Sequence, residues 1–148
     1  MPVAETVDAL SALAPLLRVQ PELQSLCRFE SPWAAPHARE TKGWAPFHMV
    51  TLGSCVLDVG GKLHPLGAGD VVVLPHGDSH VVRGAAAARP GRPPAPVRTE
   101  TTRAIAIKSN SDDPEVELIC GRLAFEQPHD NLVRLALPQV IRVGTARG

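Results

Sequence analysis

Apolar positions near the start of the chain recur at helical spacing. Val7, Leu10, Leu13, Ala14 and Leu17 share one face of a helix predicted over residues 4–17. Thr6 or Asp8 supplies its cap, and Pro15 ends or kinks it. From Leu26 the texture changes to that of β-structure. Residues 26–30 predict a short strand, and 31–44, rich in Pro, Ala and charge, predict a loop. Residues 47–52 are apolar and partly β-branched. Residues 54–59 alternate and run into Gly60-Gly61, a two-residue hairpin turn, with 62–66 as the return strand. After a turn at 67–69, residues 71–74 form an unbroken apolar strand closed by Pro75 and Gly77, and 80–82 resume beyond it. Residues 83–103 (RGAAAARPGRPPAPVRTETTR) predict a long exposed loop. Its five Arg against one Glu read first as a solvated surface and second as a phosphate or partner contact. Two further strands, 104–107 and 116–125, flank a Ser/Asn/Asp/Pro turn. A short helix at 131–137 and a strand at 140–143 close the chain. Many short strands punctuated by Gly and Pro predict a mainly β, antiparallel sandwich or barrel.

Composition narrows the function classes. The chain has 148 residues and is 44% hydrophobic, which suits one domain with its own core. Fifteen basic residues balance 15 acidic ones, and aromatics make up 3% with no Tyr. Neither a nucleic-acid grip nor a base-stacking surface fits that balance. No apolar run is long enough for a membrane span. No basic start leads into an apolar stretch, so a cytoplasmic location is the expectation. The three cysteines, Cys27, Cys55 and Cys120, are an odd number. That argues against a disulfide framework and leaves buried thiols, metal ligation or redox sensing.

The segment from Gly69 to His80 carries the strongest motif. Gly69, five residues, Pro75, one residue, Gly77, two residues and His80 place a tight turn, a core-crossing strand, a sharp turn and an inward His in one stretch. This spacing resembles the second motif of the cupin superfamily. Gly53, ending VTLG, resembles the closing Gly of the first cupin motif. The Glu expected seven residues before it falls on Pro46, and the two His positions fall near Glu40 and Lys42. Of the three-His-plus-Glu metal set of cupin enzymes, only His80 is kept.

More of the chain resembles the N-terminal domain of a subset of AraC-type transcription regulators. The segments carrying the likeness are DALSALAPLLR, FHMVTLGSC, GDVVVLPHGDSH, ELICGRLAF and LALPQVIRV, in that order. The resemblance implies one cupin-type double-stranded β-helix over 1–148, with an N-terminal helix and a short C-terminal helix. It also implies a sensing or dimerising role rather than catalysis. No segment reads as a helix-turn-helix, so the DNA-binding half is expected in a longer chain or a partner protein. A homodimer and a small-molecule or oxidant effector belong to the same picture.

In that subset, members that resemble sensors of reactive chlorine or related oxidants carry a Cys/His set. Here it falls on Cys27, His48, His80 and Cys120. Two thiolates and two imidazoles suit Zn²⁺ with all four positions filled. Cys27 and Cys120 are then also the redox-sensing pair. The plainer alternative makes each of them a small core residue or a hydrogen-bonded core His. Cys55 reads as core packing. His64 reads as exposed, and His37, His76 and His129 as solvent-facing, with His76 close enough in sequence to His80 to be a candidate to support it. Trp33 and Trp44 flank the loop as candidates to close the barrel mouth. Two other functions compete with the sensor. One is a cupin binding a small effector between residues 47–52 and 71–74. The other is a metal-dependent cupin enzyme using His48, His80 and Glu40.

Overall fold

The computed structural model describes residues 19–41, 43–85, 93, 95–125 and 132–144. The helix expected over 4–17 and His129 lie outside the described residues. The strands are β1 (Val19–Phe29), β2 (Ala34–His37), β3 (Trp44–Leu52), β4 (Ser54–Val59), β5 (Lys62–Gly67), β6 (Val71–Val73), β7 (His80–Gly84), β8 (Arg98–Thr101), β9 (Ala106–Ser109), β10 (Val116–Phe125) and β11 (Ile141–Val143). One short helix, α1 (Leu132–Ala136), precedes β11. The strands form two sheets: seven in the order β11-β6-β3-β10-β1-β9-β8, and four in the order β2-β7-β4-β5. Pairing is antiparallel except between β1 and β9. The molecule is thus mainly β, with the jelly-roll pattern and short C-terminal helix that the sequence predicts. No described helix is long and apolar enough to cross a membrane.

The period-2 alternation explains why the sheets close on one another. Cys55, Leu57 and Val59 of β4 are buried while Val56 and Asp58 are not. Val116, Leu118 and Cys120 of β10 point the same way. With Phe29, Trp33, Val50, Leu66, Val72, Leu74 and Val82 they form one core between the sheets. The β4–β5 hairpin turns at Gly60-Gly61 as expected, with the Gly61 amide donating to the Asp58 carboxylate at 2.9 Å. At Gly53 the backbone is left-handed (φ 74°), and a Cβ would overlap the Glu115 carbonyl oxygen. Only glycine lets β3 fold back into β4 there. Gly69 (φ 93°) and Gly77 (φ 73°) bracket β6 and its exit turn, and Pro75 is buried between them.

Three stretches differ from their predicted form. The 31–44 loop contains β2, an edge strand paired to β7 from Ala34↔Arg83 to His37↔His80. Its Pro36 is compatible with an edge, where a missing amide costs no ladder bond. β1 begins at Val19, seven residues before the predicted start at Leu26, because its first half is largely exposed and lacks an alternating pattern. The loop of 83–103 is shorter at both ends. β7 runs to Gly84, and the wholly exposed β8 starts at Arg98 and pairs with β9.

Candidate functional site

Strand register places the polar interior. Across the large sheet Ser25 lies opposite Cys120, Cys120 opposite His48, and His48 opposite Val72. Side chains opposite one another share a face, so β1, β10 and β3 present one row to the core. Cys120 faces inward and is 5% exposed. The β-bulge lies in β1, between Leu23 and Ser25, opposite Gly121. A Cβ on Gly121 would overlap the Glu22 carbonyl oxygen and come within 2.7 Å of the Phe47 ring. In the small sheet His37 and His80 are direct cross-strand partners. Their rings stack at 4.7 Å with a 6° interplanar angle. His48 reaches across from the opposite sheet and meets both rings edge-on, at 4.9 Å and 5.0 Å.

The hydrogen bonds fix where the protons sit. His80 Nδ1 is 2.9 Å from the Asp78 carbonyl oxygen, which only accepts, so Nδ1 carries the hydrogen. In the neutral ring Nε2 is then an acceptor. His48 Nε2, 2.8 Å away, must donate to it. His48 Nδ1 is left as an acceptor 3.0 Å from the Cys120 thiol, whose one hydrogen serves His48 while Cys27 is protonated and turns to Cys27 once that is a thiolate. One polar chain therefore runs from Cys120 through His48 and His80 to the Asp78 carbonyl. Cys27 extends it beside Cys120, with the Ser25 hydroxyl 3.7 Å from its sulfur.

Burial keeps the imidazoles neutral. It drives His48 well below the ordinary histidine range, helped by His37 and His80. His37 falls to about 4, through burial first and then His80 and Lys108. Burial lowers His80 as well, against the opposing pull of the Asp78 carbonyl, Glu40 and the Asp78 carboxylate. The two thiols divide the roles. Cys27 drops to about 7, chiefly because Cys120 hydrogen-bonds its thiolate, with Ser25 and Lys108 assisting against burial. Cys120 is pushed well above the usual thiol range by that same bond and by burial, so it keeps the proton. Burial pushes Cys55 up to about 12, which leaves it an unreactive core thiol.

The sequence-predicted residues Cys27, His48, His80 and Cys120 are neighbours in this interior. His37 joins them, a correction to its expected solvent-facing place: it is half-buried and turned toward the cluster. The donor atoms of His37, His48 and His80 lie within 4.8 Å of one another, close enough to hold a metal ion. Cys120 meets His48 at Nδ1, whereas His80 meets it at Nε2. A cavity of ≈ 300 Å³ opens on the cluster, lined by Ser25, His37, Glu40, His48, Lys108 and Cys120. A wider groove of ≈ 580 Å³ is lined by His37 and His80 among others.

His76 is not free in solvent. Its Nε2 donates to the Leu137 carbonyl at 2.7 Å, and His64 is half-buried. Trp33 packs in the core against Phe29 at 4.8 Å rather than over a mouth. Trp44 lies beneath the Arg122 guanidinium at 3.8 Å.

Among curated proteins the chain is 26% identical over 137 residues to an uncharacterized HTH-type transcriptional regulator of Haemophilus influenzae. The match covers 93% of this chain and 45% of the relative, so the chain spans less than half the relative's length. Among solved structures it is similar to unsaturated-fatty-acid-bound wild-type ToxT from Vibrio cholerae strain SCE256. There the TM-score is 0.47 at 10% identity, covering 86% of this chain and 41% of ToxT. An apo ToxT variant from the same strain gives a TM-score of 0.43 at 10% identity, covering 87% of this chain and 42% of that one. The family model described as Cupin matches residues 8–148, nearly the whole length, and the chain belongs to the cupin family.

Proposed function

We propose that this cupin domain is the sensing part of an AraC-type transcription regulator, and that it signals through its Cys/His interior rather than by catalysis. The observation that carries this reading is the polar chain Cys120–His48–His80–Asp78, which links the two sheets through the core and has Cys27 and Ser25 beside it. A core with no chemical task rarely retains so many polar groups, since each must be satisfied to avoid a desolvation cost. The likeness to an HTH-type regulator over most of this chain supports the regulatory role. The DNA-binding half, and a homodimer contact, belong to the longer protein of that reading.

The thiols are the receiving end. Cys27, with a thiolate available near neutral pH, attacks the chlorine of hypochlorous acid to give a sulfenyl chloride, and the hydroxide that leaves takes up the proton released by the thiol to become water. Cys120 then displaces chloride. The sum is two thiols plus HOCl giving one disulfide, one HCl and one water. Cys27 stands diagonally from Cys120, because its direct partner is Leu118. Diagonal partners lie roughly 7–8 Å apart, beyond a relaxed disulfide's usual reach. Closing the bond therefore draws β1 toward β10 and takes the Cys120 hydrogen from His48. The resident ion of this reading is Zn²⁺, which suits imidazole and thiolate donors of the Cys27, His48, His80 and Cys120 neighbourhood.

Thiol titration of the purified chain tests the switch. Hypochlorite should consume two thiols and leave Cys55 intact, and Cys27→Ser should protect Cys120. Finding all three thiols inert would overturn the reading. A second reading, a cupin that binds a small polar effector, is favoured by the polar cavity at the same residues. Thermal stabilisation of metal-free protein by one metabolite class would support it.

A further inference from the structure

We infer that β8 is a docking edge for a second copy of this chain, and that the two β8 strands pair antiparallel about a twofold axis at Thr99. The inference deepens the regulator reading, on which it rests, by assigning the homodimer contact to one strand. It does not depend on the thiol chemistry or on a bound ion.

β8 ends the seven-stranded sheet, and among the described residues only β9 pairs with it. All four of its residues are exposed. The pairing shows which backbone groups face outward. The turn after β8 is closed by the Thr102 amide, which donates to the Ile105 carbonyl at 2.9 Å. Antiparallel partners alternate between hydrogen-bonded and non-bonded positions. Thr102 and Ile105 are bonded, so Glu100↔Ile107 and Arg98↔Ser109 are bonded, whereas Thr101↔Ala106 and Thr99↔Lys108 are not. The N–H and C=O groups of Thr99 and Thr101 therefore point away from β9, toward the open edge. A row of such groups is a template for a further strand. The other sheet edges serve less well. β2 contains Pro36 and β5 contains Pro65, neither with an amide to donate. β11 has three residues. β8 contains no proline, and its pairing with β9 has no bulge.

The sequence of the edge selects its partner. Residues 97–101 read VRTET. Laid antiparallel on itself with Thr99 facing Thr99, the segment sets Arg98 opposite Glu100 twice and Val97 opposite Thr101 twice. Opposite charges and β-branched neighbours both favour cross-strand contact. The outward groups sit on alternate residues, so the axis must pass through a residue rather than between two. An axis at Arg98 or at Glu100 faces like charges. An axis at Thr101 runs into the 102–105 turn and leaves Arg98 and Glu100 without opposite charges. Thr99 is the centre that satisfies both main chain and side chains. Arg98 already pairs with Asp112 at 3.1 Å, with side chains 70% and 98% exposed. A pair so exposed holds little energy, and the guanidinium keeps donors for Glu100 of the second copy. Val97, 51% exposed in the single chain, gains cover in the pair.

Concentration-dependent amide exchange tests the edge, with the thiols kept reduced. A ladder this short makes a weak, transient contact, so the purified chain is followed up to about 1 mM. Sedimentation should show a monomer–dimer equilibrium. The Thr99 and Thr101 amides should exchange more slowly as the dimer forms, and the Arg98 and Glu100 amides, already bonded to β9, should change less. Thr99→Pro removes an outward amide and no β8–β9 bond, and should weaken association by about tenfold or more. Arg98→Glu sets two like-charge pairs across the axis and should weaken it by about tenfold. Arg98→Glu combined with Glu100→Arg should restore association, which a merely altered net charge would not do. Failure of that restoration would overturn the axis at Thr99. A chain that stays monomeric throughout would overturn the inference. So would a dimer in which the Thr99 and Thr101 amides are unprotected, and that result would leave a homodimer of the regulator reading on another surface. The wild-type exchange needs no substituted protein, so a poorly folding variant does not blunt the test. Thiols inert to hypochlorite would sink the sensing chemistry and leave this edge standing.

Discussion

At the scale of single residues, neutrality of the imidazoles has a measurable consequence. His48 is faced by His37 and His80 from the small sheet and by Cys120 from β10, with Lys108, Glu40 and Asp78 nearby. All three histidines have folded pKa values below the ordinary 6.5, His37 near 4. Below pH 6.5 the unfolded chain therefore binds more protons than the folded one, and stability rises with pH. For metal-free protein the full contribution is present above about pH 6.5 and is lost as pH falls toward 4. Its melting temperature should drop between pH 7.5 and pH 5, and His48→Gln should flatten that slope. An unchanged slope would mean that His48 is not the buried neutral group described. His48, His80, Cys27 and Cys120 were legible in the sequence through family resemblance, and His80 also through its own motif. His37 was not, because its strand carries only two inward positions, Ala35 and His37, and a Pro between them. No periodic signal survives in so short an edge.

At the scale of elements, close backbone approaches make sharper predictions than apolar contacts do. Gly121→Ala forces a methyl group into the Glu22 carbonyl and the Phe47 ring, beside the β1 bulge. It should cost at least about 2–3 kcal/mol in denaturant unfolding, as overpacking does. It should also disturb Cys27 reactivity through the shifted β1–β10 register. Gly60→Ala meets no atom within 4 Å, so its cost should be limited to about 1 kcal/mol of backbone strain. The contrast between two glycine substitutions checks that packing at β10, rather than glycine content as such, sets the effect. The same contrast explains what could be read in advance. β4 alternates cleanly because one of its faces is buried, and Gly60-Gly61 marks the turn that follows it. β8 and the first half of β1 are mostly exposed, so nothing in their residue pattern distinguished them from loop.

At the scale of the molecule, the C-terminal segment is fastened to the turn that carries His80. Arg134 Nε donates to the Pro75 carbonyl at 3.1 Å, and Gln139 Nε2 donates to the Asp78 carboxylate at 2.6 Å. Arg142 pairs with the buried Asp70 at 3.1 Å, and β11 pairs with β6. His80 in turn donates to the Asp78 carbonyl, so one short turn joins the cluster to residues 132–143. Metal binding should slow amide hydrogen exchange in residues 75–80 and 139–143 together. Protection confined to β2 would show that the two are not coupled. Arg142→Ala should cost about 1–3 kcal/mol, because Asp70 loses a charged partner in a buried setting. The two-sheet cupin plan was legible from the Gly69-to-His80 motif and the strand punctuation. The placement of the C-terminal segment against that motif was not, since its contacts join residues about 60 positions apart and no local pattern encodes them.

The most direct test is a count of metal and thiols in the same sample. Purified chain is analysed for bound metal and free thiols before and after one equivalent of hypochlorite. The account predicts about one zinc per chain at the start, then loss of two thiols and release of the metal, with Cys55 still free. A chain that carries no metal, and whose three thiols all survive the oxidant, would contradict it.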